Sequence, residues 1–192
     1  MTTTHSPLNV LALSGSLRRA SYNRKALQIA KQIAADAGAQ VSEIDLKELN
    51  LPMFDADLAA QGMPPSVQTL RSAIETADVI LIASPEYNYS VPGGLKNAID
   101  WASDKKNAFS GKTAAIFGAS GGPFGTLRMQ PHLRLILTAL NVVLVPQPQV
   151  MIRNANEAFT ADGAFVDPNL HDQLKTLVQK TLTLAHALKS SA

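Results

Sequence analysis

Residues 85–101, PEYNYSVPGGLKNAIDW, decide the fold because they follow directly on the apolar run VILIAS at residues 79–84. A continuous run of Val, Ile and Leu bounded by turn residues is typical of a strand buried on both faces of a parallel sheet. Pro85 and Pro92 each fix their own φ and bracket a polar, aromatic loop, after which helical spacing begins. In such sheets ligands bind beyond the carboxyl ends of the strands, so this loop is a candidate ligand site.

Strands and helices alternate along the rest of the chain. Apolar or alternating patterns predict strands at residues 8–13, 39–46, 79–84, 113–119 and 142–145. Apolar residues at helical spacing predict helices over about 26–34, 67–77, 95–103, 127–140 and 170–188. Residues 47–65 are expected to form an ordered connector with its own apolar anchors, and residues 151–168 a loop. This content predicts an α/β, flavodoxin-like, doubly wound sheet of five parallel strands in the order 2-1-3-4-5.

Composition limits the classes of function. The 192 residues fit one domain over 1–192, with residues 1–7 as a flexible tail. A net charge of +2 and the lack of any basic run argue against binding to nucleic acid. No cysteine is present, so any redox chemistry needs a bound cofactor. The four histidines are scattered without metal-ligand spacing. No segment resembles a signal peptide or a membrane span, which predicts a cytoplasmic protein with no membrane contact.

The loop after the first strand has the composition of a phosphate site at the start of a helix. It offers hydroxyl, amide and guanidinium groups: Ser14, Ser16, Ser21, Asn23, and Arg18 or Arg19. Helix N-termini favour anions, and arginine can hold two phosphate oxygens at once. Neither a GxGxxG nor a GxxxxGK[ST] pattern occurs, so a terminal phosphomonoester fits better than a diphosphate. The alternative is an ordinary capped helix with exposed arginines.

The loop after the third strand suits a planar, hydrogen-bonding ligand. In the predicted sheet it lies next to the first loop, and between its prolines it carries Glu86, Tyr87, Asn88, Tyr89 and Ser90. A phosphate on one loop and a ring on the other match flavin mononucleotide, FMN. Ser120 and the glycines of residues 119–125 would then lie beside the ring and donate to its carbonyl edge. The alternative is a surface loop with a chance pair of aromatic residues.

Two other functions compete with a flavoenzyme. Residues 118–122 match the GxSxG pattern of a hydrolase, with Ser120 as nucleophile, Asp162 or Asp167, and His171 or His186 as possible partners. A hydrolase of this kind needs a helix directly after the serine, and the GGPFG sequence is a poor helix start. A one-electron carrier of the flavodoxin type would need a strongly acidic surface, which this composition lacks.

Three segments resemble the NAD(P)H-dependent FMN reductase family, especially its chromate and quinone reductase branch. They are residues 13–18 with Ser21 and Asn23, residues 51–55, and above all residues 85–101. The resemblance covers roughly residues 8–188. It implies a flavodoxin-like fold, noncovalent FMN, NADPH or NADH as electron donor, and a homodimer or homotetramer with the active site near a subunit interface.

The resemblance also assigns residues and a reaction. The positions that match the family's contacts to the FMN phosphate are Ser16, Arg18, Ser21 and Asn23. Those that match its contacts to the ring are Pro85, Glu86, Tyr87 and Asn88, with Ser120 in the third loop. The implied reaction passes hydride from NAD(P)H through FMN to quinones, chromate, azo compounds or free flavin in a ping-pong cycle. No side chain is expected to act as acid, base or nucleophile.

Overall fold

The computed structural model describes residues 6–191. Its strands are β1 (Asn9–Ser14), β2 (Gln40–Ile44), β3 (Val79–Ala83), β4 (Thr113–Ala119), β5 (Val143–Leu144) and β6 (Val150–Ile152). All pair in parallel in the order β2-β1-β3-β4-β5, and β6 pairs with β4 as well. The predicted fold and strand order are confirmed. Of the predicted tail, residues 1–5 lie outside the described residues, and Ser6 and Pro7 have no regular secondary structure.

Helices cover both faces of the sheet. They are α1 (Tyr22–Asp36), α2 (Leu46–Leu49), α3 (Ala56–Gln61), α4 (Pro65–Thr76), α5 (Gly93–Ser103), α6 (Met129–Ala139) and α7 (Pro168–Ser190). Alternate strand residues face opposite layers, so Val10 packs with α1 and α7 while Leu11 packs with α4, α5 and α6. Within residues 6–191 no helix is both long and apolar enough to cross a bilayer.

The edge of the sheet beyond β4 differs from the prediction of one strand at residues 142–145 and a loop from residue 151. β5 has only two residues, and β6 continues the pairing at the other end of β4, where Phe117 lies opposite Val150. Pro146 and Pro148 lie between the two strands, and neither has an N–H to donate to the ladder. Five predicted strands therefore become six because the prolines divide the edge strand.

The connector at residues 47–65 is ordered, as predicted, but it contains two short helices that the pattern analysis did not identify. Asp45 caps α2 and Asp55 caps α3, each through its side chain. Between them, Pro52 O accepts hydrogen bonds from Asn97 Nδ2 at 2.9 Å and from Trp101 Nε1 at 2.8 Å. The end of the 85–101 stretch thus fixes the connector to α5.

Candidate functional site

Three loops meet at the carboxyl edge of the sheet: the first loop (residues 15–21, after β1), the second loop (84–92, after β3) and the third loop (120–128, after β4). Backbone contacts join the strand ends that carry them. Gly15 N donates to Ala83 O at 2.8 Å, and Ser84 N donates to Phe117 O at 3.0 Å. The structure therefore brings together all three loops in which the sequence placed site residues.

The first loop presents buried hydroxyls and unpaired amides. Ser14, Ser16 and Ser21 are all buried, and Ser21 caps α1 by accepting a hydrogen bond from Asn23 N at 3.2 Å. Four backbone N–H groups have no hydrogen-bond partner among residues 6–191: those of Leu17, Arg19, Ala20 and Tyr22. Unpaired amides beside a helix N-terminus form an anion-binding site.

Asn23 and Arg18 differ in how free they are to bind a ligand. The buried Asn23 side chain donates to Ala119 O at 3.0 Å and accepts from Ala119 N at 2.8 Å, so it joins the start of α1 to the end of β4. Arg18 is exposed, and its guanidinium makes one weak hydrogen bond, to Ala20 O at 3.3 Å. Arg18 can turn toward an anion at little cost, whereas Asn23 already has two partners.

The second loop is a tight turn that exposes two aromatic rings. Tyr87 and Ser90 exchange both backbone hydrogen bonds, and the central residues Asn88 and Tyr89 have φ of 47° and 66°. Positive φ at both central positions defines a type I′ turn, in which asparagine is favoured and tyrosine is unusual. The side chains of Tyr87 and Tyr89 are exposed, whereas Pro85, at the start of the loop, is buried.

Glu86 holds the second and third loops together. Its carboxylate accepts hydrogen bonds from Arg128 N at 2.8 Å and Met129 N at 3.0 Å, and so satisfies the exposed amides at the start of α6. The Arg128 guanidinium lies 3.5 Å from the other carboxylate oxygen. In this arrangement the Glu86 carboxylate positions the two loops, and its backbone N–H has no partner among residues 6–191.

The third loop does not have the geometry of a hydrolase nucleophile. Ser120 Oγ accepts a hydrogen bond from Gly122 N at 3.3 Å, and α6 begins only at Met129. His186 lies with Leu8 and Gly38 at the amino end of the sheet, the opposite edge from Ser120. His171 lies beside Ile33 and Ala37, at the opposite end of α1 from Asn23 and Ala119. The GxSxG match is therefore coincidental in this fold.

Two features were missed by the sequence analysis. A Cβ added to Gly118 would lie 2.1 Å from Ser84 O, so β4 and the second loop approach each other too closely for any side chain. A glycine within a strand pattern signals such an approach and could have been recognised. Arg128 lies over the rings of Tyr89 and Phe124, and no sequence signal connected these three residues.

Comparison with known proteins identifies the arrangement. The family model for NADPH-dependent FMN reductase matches residues 8–157. The chain belongs to this FMN reductase family. It is 46% identical over 176 residues to an NAD(P)H-dependent FMN reductase of Pseudomonas aeruginosa, covering 91% of each chain. It is 40% identical over 187 residues to an NAD(P)H:quinone oxidoreductase of Solanum tuberosum, covering 95% of each. The solved structure of FerB, a flavoenzyme NAD(P)H:(acceptor) oxidoreductase from Paracoccus denitrificans, superposes with a TM-score of 0.84 at 32% identity, covering 94% of this chain and 98% of that one.

The protein is thus an NAD(P)H-dependent flavoenzyme whose cofactor is FMN. The first loop fits this cofactor, because its buried hydroxyls and unpaired amides match a phosphomonoester. Membership of the reductase family also decides against the hydrolase and the one-electron carrier.

Proposed function

We propose that this FMN reductase passes hydride from NAD(P)H through bound FMN to quinones and similar acceptors by a ping-pong mechanism, in the cytoplasm. The proposal rests on one observation: the first loop, with its unpaired backbone amides, and the open, aromatic second loop lie together at one edge of the sheet. FMN supplies the chemistry of accepting a hydride and of delivering electrons to an acceptor. The protein residues bind and orient it.

We assign the phosphate to the first loop. Ser16, Ser21 and the backbone amides around them would donate to the phosphate oxygens, and Arg18 would close over them with a charge-assisted hydrogen bond. Asn23 would not contact the phosphate directly. It would position the start of α1, because its side chain is already hydrogen-bonded to Ala119. Ser16 Oγ accepts a hydrogen bond from Arg18 N and Ser21 Oγ accepts one from Asn23 N, so both hydroxyls are held in place and can still donate.

We assign the ring to the second and third loops. The backbone of Pro85, Glu86, Tyr87 and Asn88 would border the ring, with Ser120 on its other side. Glu86 N–H, Asn88 N–H and the Asn88 side-chain amide have no partner among the described residues and are available as donors. The rings of Tyr87 and Tyr89 are exposed, so this side of the site is open to a flat second substrate. NAD(P)H and a quinone would bind there one after the other.

Replacing Arg18 by alanine should weaken FMN binding while leaving the loaded enzyme active. Loss of a charge-assisted pair costs about 1.5 to 3 kcal/mol, which corresponds to roughly a tenfold to hundredfold rise in Kd. Fluorescence titration of apoprotein measures this, and riboflavin, which lacks the phosphate, should bind with unchanged affinity. Arg19→Ala is the matched control and should change Kd less than about threefold. An unchanged FMN affinity in Arg18→Ala would place the phosphate elsewhere.

Steady-state kinetics with NADPH and menadione test the ping-pong order. Parallel double-reciprocal lines are expected, because NADP⁺ must leave before the quinone binds. Under anaerobic conditions NADPH alone should bleach the flavin absorbance, with no partner protein. Intersecting lines would show that both substrates bind together and would exclude the proposed order.

The open site also suggests the class of acceptor. Its surface carries flat or apolar side chains, so we expect quinones to have a higher kcat/KM than chromate, while azo compounds and free flavin also react. Comparing kcat/KM for menadione and chromate at equal NADPH checks this order. A higher kcat/KM for chromate would contradict it.

Exposed apolar side chains near the site favour self-association into a homodimer or homotetramer. They include Leu17, Met53 and Leu127. Apolar surface of this kind is typical of a protein interface. Light scattering of the FMN-loaded protein at micromolar concentration should give at least a dimer, and a monomer would remove the interface from the proposed site.

A further inference from the structure

Arg128 packs against two aromatic rings at the open side of the site. The carbon at the centre of its guanidinium lies 4.0 Å from the centroid of the Tyr89 ring and 4.8 Å from that of the Phe124 ring. One ring belongs to the second loop and the other to the third. Both rings are more than half exposed, so the group stands at the surface of the site and not in its core.

The contacts of Arg128 leave its hydrogen-bond donors unused. The cation–π contacts with the two rings give the guanidinium N–H groups no oxygen acceptor. Its side chain makes no hydrogen bond among residues 6–191, and its ion pair with Glu86 is long at 3.5 Å. By contrast, Arg24, Arg71 and Arg134 all donate hydrogen bonds to protein oxygens.

The surroundings of Arg128 fix it in place. Glu86 accepts from the amides of residues 128 and 129, and Ser90 Oγ lies 3.1 Å from His132 Nδ1, one turn further along α6. These two contacts attach both ends of the turn that carries Tyr89 to the start of α6, directly after Arg128. A planar cation held in this way loses little freedom when it binds an anion.

We propose that Arg128 binds a phosphate group of the NAD(P)H donor. When the nicotinamide lies over the flavin, the adenosine part of the dinucleotide must extend from the open side, where Arg128 stands. The uncovered faces of Tyr89 and Phe124 would stack on the adenine. The phosphate is either the 2′-phosphate of NADPH or the diphosphate that NADPH and NADH share. This inference rests on the FMN placement proposed above.

The test compares the wild type with Arg128→Ala, both loaded with FMN. We expect KM for the donor to rise tenfold to a hundredfold while kcat at saturating donor changes less than about threefold. If the phosphate is the 2′-phosphate, KM rises for NADPH alone, and calorimetry shows that 2′,5′-ADP loses affinity while 5′-ADP does not. If it is the diphosphate, KM rises for both donors and both ADP isomers lose affinity.

Arg153→Ala is the matched control, because Arg153 is an exposed arginine that follows β6 at the same edge of the sheet. It should change donor KM less than about threefold, which separates a specific contact from the general positive field. Arg128→Lys, which keeps the charge but not the planar group, should have a donor KM between those of the wild type and Arg128→Ala.

Unchanged KM and unchanged ADP binding in Arg128→Ala would overturn the proposal. So would a changed molecular mass in light scattering, which would assign Arg128 to a subunit contact. FMN affinity of Arg128→Ala is measured in parallel. A loss of FMN affinity in this variant would mean that Arg128 contacts FMN itself, which would contradict the proposed flavin site.

Discussion

Gly118→Ala should destabilise the protein by about 3 kcal/mol, the upper end of the usual cost of overpacking, and abolish tight FMN binding. The added methyl would lie 2.1 Å from Ser84 O and 2.8 Å from Thr126 Oγ1. Ser84 O is a backbone atom at the end of a buried strand, so it cannot turn aside as a flexible side chain would. Either β4 or the second loop must shift, and both border the proposed ring site.

Urea denaturation of the apoprotein and titration with FMN measure the two effects of Gly118→Ala. Gly93→Ala is the control, because a Cβ there meets nothing within 4 Å and the residue lies in the first turn of α5. Its unfolding free energy should stay within about 0.5 kcal/mol of the wild type. Wild-type stability in Gly118→Ala would mean that the two strand ends are not closely packed.

Asn23→Leu should lower the free energy of unfolding by about 2 to 4 kcal/mol, even without FMN. Leucine has nearly the same size but cannot bond to Ala119, whose N–H and C=O would both be left buried and unpaired. FMN affinity should also fall, since the first and third loops are no longer joined. Gln28→Leu removes an exposed amide from the same helix and should cost less than about 0.5 kcal/mol.

Riboflavin distinguishes the two possible roles of Asn23. If Asn23 positions the loops, Asn23→Leu weakens FMN and riboflavin by the same factor. If its side chain contacts the phosphate, only FMN binding weakens, and the apoprotein stays as stable as the wild type. The second pattern would contradict the positioning role inferred from the structure.

Sequence pattern was sufficient for the architecture and for the positions of the three loops. Apolar periodicity located every helix of more than six residues, and the parallel sheet then brought the ends of β1, β3 and β4 together. The split of the edge strand at Pro146 was missed because two- and three-residue strands carry too little periodicity. Pattern analysis also missed the two short helices of the connector, although Asp45 and Asp55 were visible as caps.

The roles of individual side chains were harder to predict, because they depend on contacts between distant parts of the chain. Glu86 was assigned to the ring site, and its spacing gave no sign that its carboxylate accepts from amides 42 and 43 residues away. Asn23 pairs with Ala119, 96 residues along the chain. Local spacing carries no information about such partners. Arg128 became recognisable only when Tyr89 and Phe124 were seen to pack against it.

The divided edge strand also limits how copies of this protein can associate. An open sheet edge invites another chain to add a strand, which can lead to aggregation. Here β5 and β6 are two and three residues long, and the prolines between them have no N–H to offer a neighbour. Continuous strand addition along this edge is therefore blocked, and any association at this edge has to use helices and loops.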